Sequence, residues 1–266
     1  MGKIRKFING IVALVKRPYL INLVLESSEF HADAMRKKFP EVANGLPQIS
    51  FAAISDKKKL TVAPFAFLEG GSLTTDLALL KVMAEKKVES TYFEIGTWRG
   101  ESVANVAVVA AQCYTLNLSA DEMNAMGMSK AYVDLHGFYS KKLNNVVHLQ
   151  GNSLSFDFAP YCNKMDLVFV DGDHHYESVL QDSKTAYSLL KDTSSIIVWH
   201  DYTNGPEVVR WEVFRGIYEA TPADKRKHLY KVANTQCAVY YPYPVHSKAA
   251  AYPQTPELNF EVEMRF

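Results

Sequence analysis

From residue 91 the chain alternates between two rhythms. The runs "TYFEI" (91–95), "CYTLNL" (113–118), "NVVHLQ" (145–150), "MDLVFVD" (165–171) and "SSIIVWH" (194–200) are short and apolar or β-rich. Such runs read as strands, and the continuous apolar ones as parallel strands covered on both faces. Between them "ESVANVAVVAAQ" (101–112), "SKAYVDLHGFYSKKL" (129–143) and "YESVLQDSKTAYSLLK" (176–191) read as helices. The last carries apolar Val179, Leu180, Ala186, Leu189 and Leu190. "PEVVRWEVFRGIYEA" (206–220) predicts a helix with Pro206 near its first turn. "HLYKVAN" and "CAVYYPY" predict a closing antiparallel pair. Ahead of the alternation, "LEGGSLTTDLALLKVMAEKK" (68–87) sets a glycine turn before a helix. Ser72 or Thr74 is its expected cap, with Leu77, Leu80, Val82 and Met83 as its apolar stripe.

Strands alternating with helices predict an α/β fold with a doubly wound, mostly parallel sheet, here of seven strands. The expected organisation is an accessory, largely helical region over 1–70, the α/β domain over 71–245 and a tail over 246–266. Before residue 70 only a short apolar piece near "LPQISFAAI" breaks the helical and polar pattern.

The N-terminal stretch "KIRKFINGIVALVKRPYLINLVL" mixes basic with apolar residues. Lys16, Arg17 and Pro18 interrupt it well short of the ~20 apolar residues a membrane span needs. No secretory signal is read from it. The expectation is a helix packed on its own domain; a membrane surface is the other use of a basic amphipathic helix.

Composition changes this picture little. The 266 residues are 48% hydrophobic and 22% charged, an ordinary globular balance. Twenty-nine cations face 29 anions, which gives no electrostatic reason to expect nucleic acid. Cys113, Cys162 and Cys237 are scattered and contain no CxxC, so no disulfide framework or structural zinc site is expected. A reducing, cytoplasmic location follows as the expectation. Tyr240, Tyr241 and Tyr243 suit a packing edge or a contact between copies of the chain.

The chemistry concentrates at strand ends. In doubly wound sheets ligands bind beyond the carboxyl ends of strands, at the switch point. "FEIGTWRGES" ends a strand on Glu94-Ile95-Gly96 and opens a helix at Gly100. Gly96 permits a tight turn and close approach of a ligand, Gly100 close packing, and Glu94 a carboxylate for a donor on the ligand. The Gly-x-x-x-Gly spacing is neither G-x-G-x-x-G nor a P-loop, so a ligand with an amino acid moiety suits it better than a pyrophosphate.

With these residues the sequence resembles the class I S-adenosylmethionine-dependent methyltransferases. "FEIGTWRGES" resembles their first motif, around the methionine part of the cofactor, and implies contacts from Glu94, Gly96, Thr97, Trp98, Gly100 and Ser102. "GNS" (151–153) falls where the family contacts adenine, implying Asn152 and Ser153. "DLVFVDGDHHYESVLQD" and "IIVWHDY" resemble the fourth- and fifth-strand motifs of small-molecule and sugar O-methyltransferases. At the end of the second strand the family often carries an acid for the ribose hydroxyls; here Asn117 stands in its place.

The resemblance implies a divalent metal, Mg2+ or Mn2+, held by Asp171 and Asp201, with Asp171 also on the cofactor side. Asp173 matches a general base of the sugar-methylating relatives. His200 replaces a second acid of those relatives, and histidine suits manganese, zinc or iron better than magnesium. His200 is therefore read either as a metal ligand or as a base, with His174 beside it. The function these features imply is methylation of a hydroxyl on a small molecule or sugar. A metal-dependent hydrolase, a nucleotide-cofactor oxidoreductase and a non-catalytic binding module on a degenerate methyltransferase fold are the rival readings.

Overall fold

A computed structural model describes residues 2–21, 28–251, 253–255 and 258–264. Residues 22–25 of the N-terminal stretch, and 252, 256, 257, 265 and 266 of the tail, lie outside the described residues.

The strands are β1 (Gln48–Ile49), β2 (Thr91–Ile95), β3 (Gln112–Asn117), β4 (Val146–Gln150), β5 (Leu167–Val170), β6 (Ile196–Trp199), β7 (Thr203–Asn204), β8 (Val208–Val209), β9 (Leu229–Val232) and β10 (Ala238–Tyr240). Eight of them make one sheet in the order β1-β9-β10-β6-β5-β2-β3-β4. β10 runs antiparallel to both β6 and β9, and the other pairs are parallel. The α/β, mostly parallel fold and the closing antiparallel pair are as the sequence predicts.

The strand count is eight rather than seven. The extra strand is β1, which adds parallel to β9 through Gln48↔Lys231 and Ile49↔Val232. Two residues are too short to show a period, so only the neighbouring strand reveals them. The tail continues this edge, where the Lys248 and Gln48 backbones exchange hydrogen bonds of 2.8 and 2.7 Å.

Chain order sets the switch point. From β2 the chain steps outward through β3 and β4, then crosses back to β5 and outward the other way to β6. The carboxyl ends of β2 and β5 therefore lie side by side, with Ile95 paired to Val170. β5 and β6 are buried throughout, as is β2 beyond Thr91. One apolar cluster, with Trp199, Phe214 and Val170, covers one face, and a second, with Leu79, Val103 and Phe169, the other.

Three local expectations are corrected. The residues after Pro206 do not begin a helix. β7 and β8 pair as a hairpin turning at Gly205 (φ +66°), and the helix starts at Trp211. The helix after Gly100 stops at Val106 instead of reaching Gln112, because Gln112 already belongs to β3. Neither Ser72 nor Thr74 caps the helix Thr74–Ala84; Leu73 precedes it, and the Leu73 amide donates to Asp76 Oδ2 at 2.7 Å.

The N-terminal helix, Lys3–Lys16, departs from the packing expected of it: none of its residues is buried. Among the described residues no helix is long and apolar enough to cross a membrane.

Candidate functional site

The strands deliver their loops to one edge. After β2, Gly96 takes φ +98°, a conformation glycine adopts freely. A Cβ on Gly96 would lie 2.0 Å from the Asp171 carbonyl oxygen, so the β2 and β5 turns pass closer than any side chain allows. Trp98 follows at φ +42° and Asp201 at φ +54°. Positive φ at non-glycine residues is costly and tends to cluster where function demands a geometry.

Six side chains converge beyond β5 and β6. His200 Nδ1 lies 3.1 Å from Asp171 Oδ1 and 3.2 Å from Asp201 Oδ2. Its Nε2 lies 3.1 Å from Asp76 Oδ2. Arg210 Nη1 reaches Asp201 Oδ1 at 3.1 Å, and His174 Nδ1 reaches Asp201 Oδ2 at 3.2 Å. The strand ends place Asp171, His200 and Asp201; the turn after β5 places His174.

Asp76 was missed by sequence reasoning. It is fully buried, and its Oδ1 also accepts from the Gln236 amide at 2.8 Å. Its one visible signal is an acid inside the apolar run "LTTDLALL". An acid there needs partners, and the fold supplies the helix start, the Gln236 amide and the His200 ring.

The Asp76 contact bears on what His200 can do. A buried ring that gives Nε2–H to a carboxylate presents Nδ1 to whatever lies opposite. Nδ1 is buried and no well-aligned hydrogen bond satisfies it, although two carboxylate oxygens are near. One ligand atom each from Asp171, His200 and Asp201 lie within 4.8 Å of one another. An orphaned ring nitrogen between two carboxylates fits a divalent cation, and this N/O donor set favours manganese or zinc over magnesium.

Without a cation, protons do the balancing. Burial alone would lower the His200 pKa, but the charge of Asp171 and the nearby carboxylates of Asp201 and Asp76 hold it well above the usual histidine range. Burial opposes the Asp201 charge, yet His200, His174 and Arg210 hold its pKa well below the ordinary carboxylate value.

Glu94 occupies a different place from an open carboxylate. It is fully buried; the Tyr92 hydroxyl donates to Oε2 at 2.6 Å and the Thr115 hydroxyl to Oε1 at 2.9 Å. Burial, only partly offset by hydrogen bonds from Ser102, Tyr92 and Thr115, pushes its pKa up to about 8. Glu94 and Ser102 thus support the first loop from within. Thr97 is buried against Thr115, its amide 3.5 Å from Asn117 Oδ1. Trp98 packs at a tilt against Tyr132, ring centroids 4.5 Å apart. Gly100 lets the helix start press on the Ser140 turn, where a Cβ would come 2.2 Å from Ser140 Oγ.

The remaining expected residues stand outside this cluster. Asp173 turns to its own loop, taking His175 Nδ1 at 2.5 Å and the Ser178 hydroxyl at 2.9 Å. Asn152 Oδ1 accepts from the Leu154 amide at 3.0 Å. Ser153 lies beside Asp182, an acid only 1% exposed behind Gly172. Burial, partly offset by Ser153, pushes the Asp182 pKa up to about 6.

Residues 63–69 strap down the start of the helix Glu101–Val106. Asn105 Oδ1 accepts the Ala63 amide at 2.8 Å, Glu101 Oε1 the Ala66 amide at 2.7 Å, and Arg99 donates to the Glu69 carbonyl at 3.0 Å. The Arg99–Glu101 ion pair beneath, at 3.0 Å, is almost fully buried.

Comparison with known proteins finds a family match over this edge. Residues 93–202, from within β2 to just past β6, match the family model described as a methyltransferase domain. The matched segment carries the glycine loop and the Asp171, His200 and Asp201 cluster, the same stretch whose motifs resemble the class I methyltransferases. The particular relatives are distant. An uncharacterized protein of Acanthamoeba polyphaga mimivirus is 26% identical over 139 residues, covering 47% of this chain and 58% of that protein. An O-methyltransferase from Bacillus cereus, solved with SAH, is 16% identical with a TM-score of 0.43, covering 65% of this chain and 82% of that one. The YcgJ protein of Bacillus is 17% identical with a TM-score of 0.36, covering 47% and 49%. The chain thus spans little more than half the length of the mimivirus relative and about half that of YcgJ.

Proposed function

We propose that this chain transfers a methyl group from S-adenosylmethionine to a hydroxyl of a small molecule or sugar, with a divalent cation at Asp171, His200 and Asp201. The observation that carries the reading is the orphaned His200 Nδ1 between two carboxylates, set beside the Gly96 turn at the switch point.

The sulfonium of the bound donor supplies an already activated methyl group. The cation, when bound, supplies positive charge that lowers the pKa of an acceptor hydroxyl. The protein's own residues bind, orient and balance charge. Gly96 brings the β2 turn onto the β5 turn, and Glu94, Ser102 and Thr97 hold that turn rigid. Asp76 fixes the His200 ring and keeps its Nε2 proton. Asp171, His200 through Nδ1 and Asp201 are the residues that would hold the cation, and His200 would do so with Nδ1 unprotonated. Arg210 and His174 orient Asp201. Asp173, anchored by His175 and by Ser178 of the helix Tyr176–Leu189, is the carboxylate assigned as base for an acceptor.

The test is calorimetric titration with S-adenosylhomocysteine and with Mn2+, separately and together. One-to-one binding of each is expected. Asp171→Asn should lose manganese while keeping most cofactor affinity. A folded protein that binds no S-adenosylhomocysteine would overturn the methyl-transfer reading. Cofactor binding without manganese binding would overturn the metal assignment alone.

A further inference from the structure

The helix Lys3–Lys16 has no place in the reaction just described, and its chemistry is of another kind. It buries none of its 14 residues. At 3.6 residues per turn, Ile4, Phe7, Ile8, Ile11, Val12, Leu14 and Val15 share one side, an arc of roughly 160°. Most of that side faces solvent: Ile4 is 78% exposed, Phe7 70% and Val15 76%. An apolar stripe of this breadth normally lies against something.

Charge identifies what. Residues 2–21 contain Lys3, Arg5, Lys6, Lys16 and Arg17 and no acid. The whole chain is formally neutral, so this positive charge is local. Among the described residues none of these five cations makes an ion pair. On the helix, Lys3 borders the apolar stripe on one side and Arg5 and Lys16 on the other, with Lys6 on the polar face behind. Lysine and arginine so placed lay their stems along an apolar layer and lift their charges to its surface. A second copy of the helix would instead bring cation against cation along both borders.

We propose that the helix Lys3–Lys16 docks this chain flat on an anionic lipid surface, apolar side in the acyl boundary and cations at the phosphate headgroups. The helix is too short and too interrupted by charge to span. This reading stands on the helix alone and does not depend on the chemistry at the strand ends.

The experiment is flotation of the full chain with phosphatidylcholine vesicles, with and without phosphatidylglycerol, at low and high salt. Binding is expected with phosphatidylglycerol and is expected to fall as salt rises. Phe7→Asp and Ile11→Asp should abolish it with little change in the thermal midpoint, because Phe7 is 70% and Ile11 47% exposed. Lys3→Gln with Lys6→Gln should weaken it roughly thirtyfold, from the usual attraction of two cations to an anionic leaflet. Absence of vesicle binding, or binding unchanged by Ile11→Asp, would overturn the proposal. So would a dimer in light scattering that Ile11→Asp dissociates while vesicles are ignored, since the stripe would then belong to a second copy.

Discussion

Replacing Glu94 by glutamine should change how the stability of this protein depends on pH, and by an amount the structure sets. Burial raises the Glu94 pKa from 4.5 to about 8. The folded protein then holds a proton that the unfolded chain releases above 4.5. A group with a raised folded pKa stabilises fully below its unfolded pKa, and that contribution is lost as pH rises through the folded pKa. Each pH unit between the two values is worth about 1.36 kcal/mol for one proton. The loss by pH 8 is therefore about 4 kcal/mol, undiminished by solvent because the residue is wholly buried. Glutamine keeps the size and accepting oxygen and does not ionise. Equilibrium urea unfolding of both proteins across the window from 4.5 to 8 measures the difference. The two should be similar at the acid end, and Glu94→Gln should be the more stable at the alkaline end. Parallel curves would refute the reasoning and would mean that the Tyr92 and Thr115 hydroxyls stabilise a carboxylate there after all.

Asp76→Asn should leave S-adenosylhomocysteine affinity nearly unchanged but weaken manganese binding by about 10–100-fold, since it frees the His200 ring; calorimetry of both ligands checks it. Gly100→Ala should cost about 1–3 kcal/mol, because its Cβ meets Ser140 Oγ at 2.2 Å and its φ is +77°. Ser140→Gly should restore only the steric part, a double-mutant cycle that thermal unfolding resolves.

Much of the fold was legible because it is periodic. Five parallel strands and their intervening helices announce themselves in runs such as "LVFV" and "IIVW", and a strand followed by Gly96 points to a turn at the ligand-binding edge. The candidate ligands Asp171, His200 and Asp201 were legible for the same reason: each sits directly after a strand, and strands in one sheet end together. Trp211 as a helix start was not, because Pro206 suits a helix's first turn and only the pairing of Val209 with Thr203 decides otherwise. β1 was hidden by its length.

What the sequence alone determined, then, is what depends on neighbours in the chain: alternation, turn residues, and the chemistry attached to strand ends. What only the tertiary structure decided depends on residues far apart. Asp76 meets His200 across 124 positions, and nothing local marks an acid on a helix as the partner of a ring after β6. Glu94 reads as an offered carboxylate until Tyr92, Thr115 and Ser102 close around it. The helix Lys3–Lys16 reads as packed until the body turns out to bury none of it. Burial and charge pairing belong to surfaces that meet only on folding, so they cannot be written in any short stretch of chain.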